Sequence, residues 1–211
     1  MRQDTGQISD LSKLETRREL RSKRSQLSSA SRHRHDKAIG RHFYQLVKSH
    51  GVDTIACYWP FDGEPDITPV YRRLMDDGRN LALPVISGGD DHTMQFHPWR
   101  VDTELGKNRY GIFEPRKTRP VSLSSLDVLM MPLVGYDHFG NRLGMGAGYY
   151  DRCLESLRNL ATPLRVGVAY SIQEIDPIVT NTWDIPLHGI VNEHGWFTFV
   201  REQALANFQE D

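Results

Sequence analysis

Three glycines at alternate positions, Gly144, Gly146 and Gly148, most constrain how this chain can fold. They follow a largely apolar, strand-like run at 126–131 and lead directly into a helical pattern at 149–160. A strand, a glycine-rich turn and a helix N-terminus together favour anion binding, because backbone N–H groups can approach a phosphate closely. The stretch therefore predicts a site for a phosphate or a nucleotide.

The charged residues of this stretch add to the prediction. Arg142 places a fixed positive charge in the loop, and Asp151 ends it with a carboxylate suited to Mg²⁺. Neither common glycine fingerprint matches. The third glycine comes one residue too early for a dinucleotide loop, and at 135–140 the P-loop spacing is followed by Asn141 and Arg142 instead of Lys and Ser/Thr. The alternative is a glycine turn that only lets a strand pack closely on a helix.

Length and composition predict one soluble globular domain spanning 1–211. Hydrophobic residues make up 38% and charged residues 25%, and the formal net charge of −1 argues against a protein built for nucleic acid or anionic membranes. The charge is unevenly distributed, since residues 1–50 carry 12 Lys/Arg against 5 acids. Two distant cysteines and the lack of a long apolar run predict reduced thiols, a cytoplasmic location and no membrane span.

Strand-like and helical patterns alternate along the chain. Helices are predicted at 9–27, from a Ser28–Ser31 cap to Gly51, at 68–77 and at 149–160, and strands at 54–59, 81–85, 94–97, 126–131, 165–169, 190–191 and 196–200, with an irregular segment at 98–120. The first two helices form a basic segment at 9–50. This alternation predicts a three-layer, Rossmann-like α/β fold with a mostly parallel sheet and helices on both faces. Ligands bind such sheets at the carboxyl ends of the strands, where the loops at 59–64 and 142–150 both lie.

The loops, taken in order, resemble those of one family, 5-formyltetrahydrofolate cyclo-ligase, also called methenyltetrahydrofolate synthetase. The matching pieces are 17–21, 58–64, 83–84, 94–96, 111–115, 127–132, 142–151, 167–169, Gln173 and 183–186. Each piece alone is a weak signal, but together they run from about residue 14 to residue 192 in the family's order.

The resemblance implies an ATP- and Mg²⁺-dependent enzyme that converts 5-formyltetrahydrofolate to 5,10-methenyltetrahydrofolate and releases ADP and phosphate. Phosphorylation of the formyl oxygen would activate a poor electrophile for attack by the neighbouring N10. Positioning and charge neutralisation dominate such phosphoryl transfers.

The resemblance also implies roles for individual residues. It assigns ATP binding to Arg17, Arg21, Arg142, Leu143, Gly144, Met145, Gly146, Ala147, Gly148, Tyr149 and Tyr150. It assigns folate binding to Trp59, Phe61, Glu64, Met145, Gly146, Ala147, Gly148 and Tyr149. Arg142 and Tyr149 are the expected catalytic residues, and Asp151 and Asp184 are the expected Mg²⁺ ligands.

The chemistry of the folate residues suits the pterin ring. The carboxylate of Glu64 can accept two parallel hydrogen bonds from the 2-amino group and a ring N–H, while Trp59, Phe61 and Tyr149 offer apolar walls. Met94 and Phe96 are candidates to line the same pocket. Glu114 is expected to stabilise its loop, and the nine histidines show no metal-binding spacing.

Two other functions stay open at this point. One is a relative that binds folate or nucleotide without turnover, or that associates with RNA through its basic helices. The other is a different enzyme on a similar sheet, such as a sugar-phosphate isomerase or a CoA-transferase-like protein. The expected partners are a small folate and ATP, with nucleic acid unexpected and a monomer as the expected state.

Overall fold

A computed structural model of the protein describes residues 4–87, 92–158 and 160–199. Its helices are α1 (Asp4–Ser25), α2 (Ser29–Ser49), α3 (Thr68–Asp76) and α4 (Tyr149–Leu154), with 3-10 turns at Leu123–Ser125, Glu155–Leu157 and Ser171–Gln173. Its strands are β1 (Thr54–Ala56), β2 (Asn80–Ile86), β3 (Met94–Trp99), β4 (Leu105–Lys107), β5 (Phe113–Pro115), β6 (Val128–Pro132), β7 (Gly135–Tyr136), β8 (Arg142–Leu143), β9 (Leu164–Val168), β10 (Gly189–Asn192) and β11 (Gly195–Thr198). The expected single domain at 1–211 extends beyond the described residues and stays a prediction.

Seven of these strands form the main sheet, in the order β11-β10-β9-β6-β1-β2-β3. The five inner strands pair in parallel, while β3 and β11 run antiparallel at the two edges. The mostly parallel α/β sheet predicted from the sequence is therefore confirmed. The carboxyl ends of β1, β2 and β6 lie side by side, which brings the loops that follow them together.

Both faces of the sheet are covered, as successive residues of β6 show. Val128 and Met130 belong to a buried cluster with α2 and α3, whereas Leu129 and Met131 belong to a second cluster with α4. Side chains of a strand alternate between faces, so a strand that is apolar at every position must be buried on both. The predicted three layers follow from this pattern.

Helix α1 packs away from these two clusters. Its Leu20 is 2% exposed and packs with Val134 and Leu143, which lie beyond the end of β6. The predicted helix at 9–27 thus begins earlier, at Asp4, and ends at Ser25. Ser28 then caps α2 as predicted, because its side-chain oxygen accepts a hydrogen bond from Ser31 N at 3.1 Å.

Several predicted elements were wrong in length. The helix expected at 149–160 ends at Leu154 and continues only as one 3-10 turn. Leu154 and Leu157 are both buried and lie three residues apart, which matches the tighter repeat of a 3-10 turn. The strand expected at 54–59 ends at Ala56, and the last residue of the strand expected at 196–200 lies outside the described residues.

Two short hairpins were not predicted. The segment 98–120, expected to be irregular, contains the antiparallel pair β4 and β5, and the loop after β6 contains the pair β7 and β8. Strands of two or three residues carry too little alternation to be recognised from sequence. Both hairpins lie beside the carboxyl edge of the main sheet and shape the site described below.

We expect Met130→Ala to lower the free energy of unfolding by about 2–5 kcal/mol, because the side chain is fully buried at the centre of the sheet. The matched control is Val101→Ala, whose side chain is 62% exposed and should change stability by no more than about 0.5 kcal/mol. Urea unfolding of both variants measures the difference. Equal effects would contradict the placement of Met130 in the core.

Candidate active site

A cavity of about 760 Å³ lies at the carboxyl ends of the inner strands. Tyr58 and Trp59 follow β1 into it, Pro84 and Ile86 lie on β2, and Pro132 ends β6. The residues expected at the site that line it are Arg17, Trp59, Phe61, Glu64, Met94, all of 142–151, and Asp184. The two loops that the sequence placed at the same edge therefore share one cavity.

The loop after β1 turns sharply before Glu64. Asp62 and Gly63 both have left-handed backbone angles, with φ values of 51° and 77°. Glu64 N donates to Phe61 O at 3.0 Å, and Glu64 Oε2 accepts from Phe61 N at 3.1 Å, so the acid closes its own turn. Burial raises the pKa of Glu64 to about 7.

Arginines of the two N-terminal helices hold this loop. Arg24 donates to Asp62 O at 2.6 Å, and Arg32 donates to Gly63 O at 2.8 Å. Arg21, which was expected to face the ATP phosphates, instead forms an ion pair with Asp62 Oδ2 at 2.7 Å and does not line the cavity.

The glycine-rich loop has the backbone conformation that only glycine adopts easily. Gly146 and Gly148 have φ values of 104° and 67°, and a Cβ on Gly148 would lie 3.2 Å from the guanidinium of Arg152. Arg17 Nε donates to Gly144 O at 2.8 Å and so brings a positive charge against the loop. Since α4 has only six residues, the loop and its arginines are the main anion-attracting features here, rather than a helix dipole.

A buried ion pair joins the two ends of this loop. Arg142 Nη2 lies 2.6 Å from Asp151 Oδ1, with side chains that are 7% and 17% exposed. Burial lowers the pKa of Arg142, and the Asp151 carboxylate opposes that shift. Arg142 Nε is buried and has no hydrogen-bond partner among the described residues. A donor left in this state is suited to an anionic ligand oxygen.

The two expected metal ligands come close in the fold although they are distant in sequence. Asp151 Oδ1 accepts a hydrogen bond at 2.9 Å from the backbone N–H of Ile185, which directly follows Asp184. Both aspartates line the cavity. Asp184 Oδ2 also accepts from Asn181 N at 2.7 Å. Among the described residues no three His, Cys, Asp or Glu side chains converge on one point.

A tyrosine pair closes another side of the cavity. Tyr149 Oη lies 3.3 Å from Tyr110 Oη and accepts from Arg109 Nη2 at 2.6 Å. Tyr110, Asn108 and Ile112 come from the β4–β5 turn and line the cavity, yet the sequence analysis assigned none of them a role at the site. Asn and Gly at 108 and 111 signal a turn, but a contact to a residue 39 positions away does not show in a local pattern.

Several other residues that line the cavity were not predicted from the sequence. The missed charged and aromatic residues are Lys13, Tyr58, Arg152, Glu155 and Trp183.

The expectation for Phe96 was wrong. Its side chain is fully buried and its ring packs against Tyr150, with centroids 6.4 Å apart. Glu114 is 3% exposed, accepts from Ile86 N at 3.3 Å and does not line the cavity, in agreement with a loop-stabilising role.

Comparisons with known proteins place the chain in one family. Residues 10–193 match the model of the 5-formyltetrahydrofolate cyclo-ligase family. The chain is 34% identical to a 5-formyltetrahydrofolate cyclo-ligase of Haemophilus influenzae, over 83% of this chain and 94% of the relative, and 41% identical to that of Escherichia coli K12, over 69% and 79%. Its fold is similar to an NMR structure of Aquifex aeolicus 5,10-methenyltetrahydrofolate synthetase, with a TM-score of 0.79, 30% identity and coverage of 94% of this chain and 98% of the other. No helix among the described residues is long and apolar enough to cross a membrane.

We expect Glu64 to make the stability of the ligand-free protein fall as pH rises from about 4.5 to about 7, the ordinary and folded-state pKa values of this group. In that range Glu64 keeps its proton in the folded state but loses it in the unfolded chain. Raising the pH therefore favours the unfolded state and lowers the free energy of unfolding. Urea unfolding of the wild type and Glu64→Gln across the range measures the effect as the difference between the two proteins. A difference that does not change with pH would mean that Glu64 titrates normally.

Proposed function

This chain belongs to the 5-formyltetrahydrofolate cyclo-ligase family and is therefore a folate ring-closing enzyme, and we propose that it drives the closure with MgATP. The observation that carries the proposal is the shared cavity. It contains the acid of the β1 loop, Glu64, together with the glycine loop and the carboxylates of Asp151 and Asp184. Substrate and nucleotide bound to these two loops would meet, as a transfer between them requires.

The proposed reaction begins at the formyl oxygen of 5-formyltetrahydrofolate. The γ-phosphoryl group of ATP transfers to that oxygen, and ADP leaves. The lone pair of N10 then attacks the formyl carbon, the carbon–oxygen bond breaks with release of phosphate, and N10 loses its proton. The product is the 5,10-methenyl ring. Since the substrates supply all the reacting atoms, the protein mainly has to position them and balance their charge.

The arginines and the glycine backbone suit the phosphate groups. Arg142 offers a buried Nε donor without a partner among the described residues, and Arg17 lies against the glycine loop. Arg17 and Arg142 both line the cavity. Positive groups that are already in place at a developing negative charge need no reorganisation during the reaction, which is the most effective form of electrostatic catalysis.

Asp151 and Asp184 suit Mg²⁺ because magnesium prefers oxygen ligands and is commonly bound through one or two carboxylates with phosphates and water. A bound Mg²⁺ neutralises negative charge on the phosphates. Two protein carboxylates at one cavity match this pattern. Among the described residues no third ligating side chain joins them, so a site made of protein ligands alone would fit less well.

Glu64 and the aromatic residues suit the pterin. The ionised form of Glu64 accepts two hydrogen bonds, and Trp59 packs beside Phe113 at a centroid distance of 5.2 Å, which gives a rigid wall for a flat ring. Tyr149 lines the cavity between the glycine loop and the β4–β5 turn, so we assign it to the contact between the two substrates.

The alternatives considered from the sequence have less support. Glu64, Arg142, Tyr149, Asp151 and Asp184 all line one cavity, which disfavours a relative that only binds folate or RNA. The family match also disfavours an isomerase or a CoA-transferase-like enzyme. A cytoplasmic location, a monomeric state and the absence of a nucleic-acid partner stay predictions.

The direct test is an assay with 5-formyltetrahydrofolate and MgATP that follows the absorbance of the methenyl product and the release of phosphate. We expect one phosphate for each methenyl group and no product when ATP or Mg²⁺ is omitted. Bound folate without product in the complete mixture would favour the non-enzymatic alternative.

We expect Asp151→Asn to lower kcat by on the order of 10²-fold, because Mg²⁺ would lose one of its two proposed carboxylate ligands and would neutralise the phosphates less well. Folate affinity, measured by calorimetry, should be unchanged. The control is Asp76→Asn, an exposed acid of α3 that pairs with Arg72 at 3.3 Å. Wild-type turnover in Asp151→Asn would remove Asp151 from the proposed metal site.

We expect Glu64→Gln to raise the KM for the folate by about 10- to 100-fold, the loss of a hydrogen bond to a charged group. The KM for ATP should change little, because Glu64 lies on the β1 loop and not on the glycine loop. Steady-state kinetics with each substrate varied in turn measures both, with Glu104→Gln, an exposed acid, as control. Equal increases in the two KM values would show that Glu64 is structural.

A further inference from the structure

We propose that Arg24 is a positioning residue for Glu64, which fixes the backbone of the β1 loop and provides a positive charge that acts on the folate-binding acid. The inference rests on the proposed function, because it concerns how that acid is held. Arg24 does not line the cavity, so it acts through the loop and not by touching the substrate.

The contacts of Arg24 connect the loop to the sheet. In the last turn of α1, its side chain is 1% exposed. It donates to Asp62 O at 2.6 Å, to Asp62 Oδ2 at 3.0 Å and to Leu133 O at 3.3 Å. The residue Leu133 follows β6, so one guanidinium ties together the ends of two neighbouring strands. A buried arginine without such partners would be strongly destabilising.

Arg32 of α2 completes this hold on the loop. It donates to Gly63 O at 2.8 Å and to Arg24 O at 2.8 Å. The carbonyls of Asp62 and Gly63 belong to a left-handed turn, in which they have no sheet partner, and a left-handed aspartate is strained. The two arginines therefore stabilise the turn that places Glu64 at the cavity. Arg21 also binds Asp62, but it is 48% exposed and contributes less.

Arg24 and Asp62 also act on the charge of Glu64, in opposite directions. Burial is the largest effect and raises the pKa of Glu64 to about 7, while the positive charge of Arg24 lowers it and the negative charge of Asp62 raises it. Tyr58 and Tyr150 also interact with Glu64, and burial raises their own pKa values so that both stay neutral. Removing Arg24 should therefore favour the protonated acid, which accepts hydrogen bonds less well.

The test measures the titration of Glu64 in the ligand-free enzyme, by NMR of carboxyl-labelled glutamate with the signal assigned through Glu64→Gln. We expect Arg24→Met to move the midpoint to higher pH and Asp62→Asn to move it to lower pH. Arg24→Lys keeps the charge and should restore the midpoint. The matched control is Lys23→Met, an exposed neighbour on the same helix that pairs with Glu19, which should leave the midpoint unchanged.

Kinetics supplies a second measurement. We expect Arg24→Met to raise the folate KM by about tenfold, because the protonated Glu64 would accept one charged hydrogen bond fewer from the folate. The ATP KM should change by less than about threefold. A wild-type midpoint and a wild-type folate KM in Arg24→Met would overturn the proposal, and so would equal increases in both KM values. If Arg24→Met does not fold, Asp62→Asn tests the same arrangement of charges around Glu64. A titration midpoint of Glu64 that does not move to lower pH in Asp62→Asn would then overturn the proposal.

Failure of this inference can be distinguished from failure of the proposed function. An active wild type whose folate KM rises in Glu64→Gln, while Arg24→Met keeps the wild-type midpoint and the wild-type folate KM, would overturn only the role of Arg24. A wild type that forms no methenyl product would overturn the proposed function, whatever the titration of Glu64 shows.

Discussion

The buried ion pair between Arg142 and Asp151 is the interaction on which the site depends. Burying either charge alone would be strongly destabilising, so each residue requires the other in the ligand-free protein. The pair joins β8 to the start of α4, and Asp151 also accepts from Ile185 N, so three distant parts of the chain are held at one point. Under the proposed function, phosphate and magnesium would give Arg142 and Asp151 new partners of the same charge as the old ones, and the charge balance of the cavity would be kept.

A second set of buried charges organises the other half of the cavity. There the arginines bind backbone carbonyls of a strained turn, and the acid that they support, Glu64, has its pKa raised by burial. The two halves thus use arginine differently. Arg142 lines the cavity itself, whereas Arg24 lies behind the loop that does. The proposed function assigns the nucleotide to the half of the cavity that Arg142 lines, and the folate to the half whose loop Arg24 supports.

Much of this arrangement could be predicted from the sequence because it depends on strand order and on loops at strand ends. Runs such as 128–131 are apolar on both faces, and only a sheet covered on both sides buries them. The loops of Glu64 and Arg142 follow neighbouring parallel strands, which places them at one edge. The sequence was less informative about the hairpins β4–β5 and β7–β8, whose strands are too short to show a period. It was also misleading about α1, since arginines in a basic helix suggest an exposed surface, and nothing local distinguishes Arg21, at the surface, from the buried Arg24.

The spacing of two arginines along α1 has a consequence for how this protein can vary. Arg17 binds the glycine loop and Arg24 binds the β1 loop, and seven residues of α-helix separate them. Seven residues make two turns, about 10 Å along the axis, and return both side chains to the same side of the helix. Inserting or deleting one residue between them would rotate one arginine by about 100° away from its loop. The exposed positions of this stretch should accept substitutions, whereas Leu20 is buried and the length must stay constant, because α1 sets the distance between the two binding loops.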